Sequence, residues 1–294
     1  MTSLEVAVHE HRSALLGLAY RLLGSVSEAE DAVQEAFLRL ERHGTDGIDN
    51  VGGWLNRTTS RICLDRLTSA QARREVYVGP WLPEPLESSG DPGDPVELAE
   101  SVSMAFLVVL ESLSPAERVA FLLHDVFGYD HAELAAILDR SEAACRQLVS
   151  RARKQVEARR PRFEPDPSVR AEVAGRFLEA CRTGDLQALL STLAPDVVLR
   201  SDGGGKVSAA RRPVEGAERV MRFFEGLARQ APSDVVLETR WYNGTPGLVV
   251  GVADGSLLVV FVLDVADGAV RSIEAIRNPD KLAHLGPVRS ATGP

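Results

Sequence analysis

The feature that most constrains this 294-residue chain is a break at residues 77–96. There Gly79-Pro80, Pro83, Pro85 and the run Ser88-Ser89-Gly90-Asp91-Pro92-Gly93-Asp94-Pro95 exclude regular helix. A chain this long holds about two ordinary domains or three small ones, and the break separates them. Over residues 4–75 apolar side chains recur at helical spacing, as in Leu15, Leu18, Ala19, Leu22 and then Ala32, Val33, Ala36, Phe37, Leu40. Ser27 with Glu30 reads as a capping box between these two helices. Helices resume over residues 96–160, where Ser114-Pro115-Ala116-Glu117 supplies an N-cap, a first-turn Pro and a capping Glu.

Charge is distributed unevenly. The formal net charge of −9 argues against a general nucleic-acid coat, which needs clustered Lys and Arg. Yet residues 75–100 hold seven acidic and no basic residues, while 140–162 hold eight basic residues against Glu142 and Glu157. A basic module follows an acidic linker. Glu84, Glu87, Asp91 and Asp94 are expected to repel phosphate groups. Inside the linker, Trp81-Leu82-Pro83-Glu84-Pro85-Leu86 puts large apolar side chains where a solvated spacer has none, as a docking peptide would. Cys63, Cys145 and Cys181 have no paired spacing, so no metal, cofactor or disulfide framework is expected. The longest apolar run, seven residues at 257–263, is far below the roughly 20 needed to span a bilayer; a soluble, cytoplasmic protein is expected.

Residues 130–154 have the layout of a helix-turn-helix. Asp130 and Glu133 cap a first helix, Asp139-Arg140 turn, and Ser141 caps a second. In the second, Cys145, Leu148, Val149, Ala152 and Val156 form one apolar face and leave Glu142, Ala143, Arg146, Gln147, Ser150, Arg153 and Lys154 outward. Arg and Gln can pair with base edges while further basic groups hold phosphates. The same pattern also suits an ordinary solvated helix.

After residue 168 the texture changes. Helices are expected to about residue 183 and over 216–229, then strands at 235–241, 247–252, 257–265 and 270–276, with turns at Asn243-Gly244, Asp254-Gly255 and Asp267-Gly268. This describes an α+β domain with a curved antiparallel sheet. Gly203-Gly204-Gly205 with Lys206 could approach an anion, although a triple Gly is more often a turn. Asp196, Asp202 and His284 are the few groups there suited to proton transfer.

These residues carry a family resemblance. Leu113-Ser114-Pro115-Ala116-Glu117-Arg118, Gly128-Tyr129, Glu133-Leu134-Ala135 and Ser150-Arg151-Ala152-Arg153-Lys154 resemble region four of extracytoplasmic-function sigma factors. Ala19-Tyr20-Arg21-Leu22-Leu23-Gly24, the stretch from Ala29 through Phe37, Trp54-Leu55 and Leu64-Asp65-Arg66-Leu67 resemble region two. The resemblance implies a protein that directs RNA polymerase core to promoter DNA. Asp31, Gln34, Glu35 and Phe37 would dock on the core enzyme, and Trp54, Arg57, Arg61 and Arg66 would contact the minus-ten element, with Leu55 a core residue. The helix bearing Glu142, Ala143, Arg146, Gln147, Ser150, Arg151, Arg153 and Lys154 would read the minus-thirty-five element. Arg61, Thr68 and Leu148 depart from residues frequent in the family, which leaves the promoter sequence open.

Phe177, Gly184-Asp185, Leu193-Ala194-Pro195-Asp196-Val197 and the helix after Gly216 resemble a SnoaL-like cone domain. Trp81-Leu82-Pro83-Glu84-Pro85, Asp202-Gly203-Gly204-Gly205-Lys206 and Asn278-Pro279-Asp280-Lys281-Leu282 are similar to the sigma subgroup with such a domain fused to it. The resemblance implies that this domain regulates the sigma regions in cis through those three motifs, with no separate anti-sigma factor. The expected architecture is multidomain: region two over 1–75, a linker over 76–100, region four over 101–162 and the cone over 163–290. Catalysis by the cone, or sensing of a small-molecule ligand in it, are the alternatives; the sigma function itself needs no enzyme activity.

Overall fold

The computed structural model describes residues 3–74, 77–88, 102–159 and 166–289. Asp91 and Asp94 of the acidic linker lie outside them. The chain forms two compact units, one of Met1–Val76 with Phe106–Arg160 and one of Tyr77–Ala105 with Pro161–Pro294. The linker segment thus belongs with the C-terminal half.

The first unit is helical. Helices α1 (Ser3–Leu23), α2 (Val26–His43) and α3 (Val51–Arg74) bury Leu15, Leu18, Leu22, Ala32, Ala36, Leu40 and Leu55 against one another. Each fully buried Leu contributes about 1.5–3 kcal/mol. The α2 cap differs from the expected one: Gly24, at φ 68°, ends α1, so Ser25 rather than Ser27 becomes the N-cap and accepts from the Glu28 amide. Helix α4 (Met104–Leu110) leads to α5 (Pro115–Phe121), whose Ser114–Glu117 capping box is as expected. A π-helical turn, Leu122–Val126, precedes α6 (His131–Leu138) and α7 (Glu142–Ala158). The expected second capping box, Asp130 with Glu133, starts α6; Asp139 at φ 53° turns the chain; Ser141 caps α7.

The second unit carries a seven-stranded sheet in the order β1-β4-β5-β6-β7-β2-β3, built from β1 (Glu87–Ser88), β2 (Leu193–Asp202), β3 (Val214–Glu215), β4 (Val235–Tyr242), β5 (Thr245–Val252), β6 (Leu257–Ala266) and β7 (Ala269–Ile276). Strands β4 to β7 form the expected meander. Two of its turns hold both central residues at positive φ, Asn243-Gly244 and Asp267-Gly268, the geometry that matches strand twist. Strand β2 pairs parallel to β7 and closes the sheet from the other side.

Helices α8 (Pro167–Thr183), α9 (Leu186–Thr192) and α10 (Ala217–Gln230) cover one face of the sheet. Val173, Phe177, Val220, Leu199, Phe261, Leu263 and Ile273 belong to one apolar cluster there. A last turn, α11 (Pro279–Leu282), follows β7. The short α9, the edge pieces β1 and β3, and β2, whose Ala194-Pro195-Asp196 interrupts any alternation, were not evident in the sequence pattern.

Candidate nucleic-acid face and linker seat

Every residue expected to point outward from α7 does so. Glu142, Ala143, Arg146, Gln147, Ser150, Arg151, Arg153 and Lys154 are exposed, while Cys145, Leu148, Val149, Ala152 and Val156 are buried. The cations are oriented by acids: Arg146 by Glu142 at 3.4 Å, Arg151 by Glu117 at 3.0 Å and Arg153 by Asp125 at 2.5 Å. Hydrogen bonds from Nε and Nη2 of Arg153 to Asp125 hold that guanidinium in place and raise its pKa.

On α2, Asp31, Gln34 and Glu35 face outward, but Phe37 is buried in the bundle. It sits on the apolar side that the 3.6-residue spacing marks, so any docking surface on this helix is built first from Asp31, Gln34 and Glu35. Leu38, 48% exposed, stands on the outward side instead. Sequence reading passed over it because a single exposed Leu has no pattern.

Arg66 does not project freely. It donates to the Glu28 carbonyl and pairs with Glu35 at 3.4 Å and Asp31 at 3.8 Å, joining α3 to α2. Leu55 is fully buried, as expected, and half-buried Trp54 lies beside the His43 ring at 5.7 Å. Arg57 and Arg61 are exposed on α3, with Arg61 donating to the Ala136 carbonyl of α6.

In the second unit the three motifs converge. Asp202, at the end of β2, is fully buried. It accepts from the Tyr77 hydroxyl at 2.6 Å, the Leu82 amide at 2.8 Å, the Gly204 amide at 3.0 Å and the Lys281 ammonium at 2.7 Å. Lys281, 5% exposed, also donates to the Leu82 carbonyl and lies 3.7 Å from the Trp81 ring centroid. Burial and the bond to Asp202 push the Tyr77 phenol well above its usual range.

The seat continues along the linker. His284 meets the Pro85 carbonyl at 2.9 Å, the Asn243 side chain accepts from the Leu86 amide at 3.1 Å, and β1 adds Glu87 and Ser88 to the β4 edge. Leu82, Pro83 and Glu84 are buried, and Glu87 faces Arg240 at 3.7 Å. Glu84 therefore does not present its charge to solvent as the repulsion idea required.

The glycine run closes the seat. Gly204 has φ 63°, and a Cβ there would collide with the Asn278 side chain; at Gly203 it would collide with the Val207 carbonyl oxygen. Lys206 pairs with Asp280 at 2.6 Å, so the run serves a turn, with its cation already engaged. Asn278 caps α11 through the Asp280 amide and reaches the Tyr77 hydroxyl at 3.0 Å; exposed Pro279 starts the turn and Leu282 is buried. Tyr77 is a contributor the sequence reading missed, and His284 was picked out only as a group suited to proton transfer. Asn243 was visible only as a hairpin residue.

A separate acidic pair lies on the same sheet. Buried Glu274 holds Arg200 at 2.8 Å, and Asp264 is pushed up to about 7 by burial and then by Glu274, against Arg170. Asp196 is exposed and pairs with Arg271 at 2.6 Å. Asp196, Asp202 and His284 thus hold an arginine, the Tyr77–Lys281 junction and the Pro85 carbonyl, respectively.

An outward basic helix behind a capped turn, a three-helix bundle with an acidic face on α2, and a helix-covered sheet are three modules with separate matches. Family models match as Sigma-70 region 2 over residues 7–73, Sigma-70 region 4 over 103–156, and a SnoaL-like domain over 174–276. The chain is 42% identical over 287 residues to the ECF RNA polymerase sigma factor SigJ of Mycobacterium tuberculosis, covering 92% of this chain and 90% of that protein. It is 36% identical to the probable ECF sigma factor SigI of the same species, over 96% and 95% of the two chains. The crystal structure of the SigJ sigma factor aligns with a TM-score of 0.76 at 38% identity, covering 95% of this chain and 97% of that one.

The chain belongs to the extracytoplasmic-function sigma factors of RNA polymerase, with a SnoaL-like domain at its C-terminal end. Its activity is promoter-directed transcription initiation with RNA polymerase. Among the described residues no helix is long and apolar enough to cross a membrane.

Proposed function

We propose that this sigma factor is regulated in cis, by reversible seating of its own linker on the SnoaL-like domain, and that α7 reads the minus-thirty-five element while α2 docks on the polymerase. The observation that carries the regulatory reading is the buried junction of Asp202, Lys281, Tyr77, Trp81 and Leu82. Residues 75–103 tether region 2 to region 4. A tether held at Tyr77, Leu82, Leu86 and Val102 has less reach than a free one, so seating restrains the two regions and release frees them.

A regulatory seat suits the domain better than a catalytic one. The cluster between its helices and sheet is built from apolar side chains such as Phe177, Phe261, Leu263 and Ile273. Fold likeness to SnoaL-like proteins does not supply acid–base chemistry.

The test is transcription in vitro with core polymerase, from a promoter identified by transcript sequencing. Lys281→Ala is expected to give severalfold more promoter-specific transcript than the natural chain. Equal yields would overturn cis regulation through this seat, and a lower yield would make the seated linker an activating element. A chain inactive in every form would refute promoter reading by these modules.

A further inference from the structure

Ile273 and Ala275 of β7 and Leu263 of β6 belong to the apolar cluster under the helices. Ser272, Glu274 and Asp264 alternate with them and project from the other side of the sheet. Asp264 pairs across the strands with Ser272, and Glu274 stands opposite Arg200 of β2. Glu274 is 1% exposed and Asp264 9%. Arg200 donates to Oε1 of Glu274 at 2.8 Å. Ser272 lies near enough to favour the charged form of Glu274. Even so, among the described residues neither Oε2 of Glu274 nor Oγ of Ser272 has a hydrogen-bond partner.

A buried carboxylate oxygen with no donor is unfavourable, the more so beside a second carboxyl. The Arg170 charge acts on Asp264, with no hydrogen bond between them. With both acids ionised, the cluster carries one negative charge more than the Arg200 bond offsets. Two things relieve it: a proton on Asp264, or a cation seated among the three side chains. Facing Cβ atoms in a sheet are about 4.5–5.5 Å apart and diagonal ones about 7–8 Å, so all three side chains are within reach of one ligand atom. A primary ammonium directs three N–H groups tetrahedrally and serves acceptors about 4.7 Å apart at N···O distances of about 2.9 Å. A guanidinium holds its donors in one plane, and Mg²⁺ or Ca²⁺ takes about six oxygens or more. Among the described residues no group of three or more His, Cys, Asp or Glu side chains is arranged to hold a metal ion.

We propose that Asp264, Ser272 and Glu274 form a binding site for a primary alkylammonium group. The ammonium donates to Oε2 of Glu274, Oγ of Ser272 and a carboxylate oxygen of Asp264, while Arg200 holds Glu274 in place. Half-buried Ser272 and Arg200, whose side chain is 29% exposed, leave a way out for the alkyl chain. The same strand already takes one ammonium two residues further on, where Lys281 donates to Asp202. Binding at the new site would stand whether or not the linker seat regulates transcription. Proton and ammonium compete for Asp264, whose carboxyl is pushed up to about 7, so binding strengthens as pH rises.

Isothermal titration of the full chain with ethylammonium chloride, at pH 8 and fixed ionic strength, tests the site. Saturable binding with a Kd of about 1 mM or tighter is expected. Tetramethylammonium, of equal charge but without N–H donors, should bind at least about tenfold more weakly. At pH 6 about one Asp264 carboxyl in ten is ionised, against about nine in ten at pH 8, so affinity should fall about tenfold. Asp264→Asn should remove at least about tenfold of the affinity at pH 8 and all of its pH dependence. It should not lower the unfolding midpoint, which separates lost binding from lost folding. Ser272→Ala should weaken binding about threefold.

No saturable binding at pH 8, or equal binding of tetramethylammonium, would overturn the proposal. So would binding that Asp264→Asn leaves unchanged. If Lys281→Ala then tightens that binding, the ammonium sits on Asp202 in the linker seat instead. Magnesium chloride that displaces ethylammonium at equal concentration would refute the ligand class and make this a metal site.

Discussion

The face of α7 and the linker seat use charge in opposite ways. On α7, Arg146, Arg151 and Arg153 stand in water, each beside an acid that orients it and that a phosphate can replace. In the seat, Lys281 and Asp202 are 5% and 0% exposed, and both are satisfied by groups within the same unit. Exposed pairs are worth about 0–1 kcal/mol and exchange partners readily. A buried pair that loses one member costs about 3–5 kcal/mol. The first arrangement suits a surface that meets an outside partner. The second suits an internal joint with two discrete states.

The sharpest way to break this comparison is at Lys281. Replacing it with Ala leaves Asp202 buried with the Tyr77 hydroxyl and two amides but no cation, so the seat should lose about 3–5 kcal/mol. Faster proteolysis of the linker at Trp81–Leu86 and a lower unfolding midpoint of the C-terminal unit are expected. Restoring a neutral interior with Lys281→Met and Asp202→Asn together should recover much of the loss, because charge burial is then removed as well as charge pairing. If Lys281→Ala changes neither measurement, the seat is not a joint.

A second test uses the buried acid outside the seat. Asp264, pushed up to about 7, binds its proton more tightly in the folded chain than in the unfolded one. Between roughly its ordinary value and pH 7 the folded state therefore holds more protons, and stability falls as pH rises through that window, levelling off above it. A loss on the order of 2–4 kcal/mol between pH 4 and 8 is expected for this group, at about 1.36 kcal/mol per unit of pKa. Asp264→Asn should make the dependence shallower, leaving the same-sign part from Glu274, whose carboxyl burial also raises, and make the unit more stable at pH 8. Chemical denaturation across that range decides it; parallel curves for both chains would show that Asp264 is not the titrating group.

How much was legible in the sequence follows the same division. The α7 face could be read in full because a helix turns its apolar positions inward every 3.6 residues, and capping residues such as Asp130 and Ser141 mark its ends locally. The periodicity also placed Phe37 on the buried face, where it lies; periodicity reports burial and says nothing of docking. The three motifs of the seat were recognisable as strings through the resemblance. Their convergence was not, because Tyr77, Asp202 and Lys281 lie more than 70 positions apart and nothing local in residues 203–205 says which segment they cover. Asn243 shows the limit well: its turn geometry was evident, but its side-chain bond to Leu86 depends on an edge strand only two residues long.

The smallest effect belongs to the exposed side of the comparison, at Asp125. This carboxylate holds the Arg153 guanidinium through bonds from Nε and Nη2, with Arg153 54% exposed and Asp125 21%. A phosphate that takes the Nε–Nη2 edge of Arg153 must first displace it. Asp125→Asn should therefore cost folding stability no more than about 0.5–1 kcal/mol. It should also strengthen duplex binding at low salt and steepen the dependence of log affinity on log salt by up to about 0.9, the increment for one phosphate newly neutralised. Adding Arg153→Ala to the Asp125→Asn chain should return the slope to that of the natural protein. A slope that stays steep in this double variant would place the added contact elsewhere, and an unchanged slope in the single variant would mean that Arg153 keeps its place at residue 125 in the complex as it does alone.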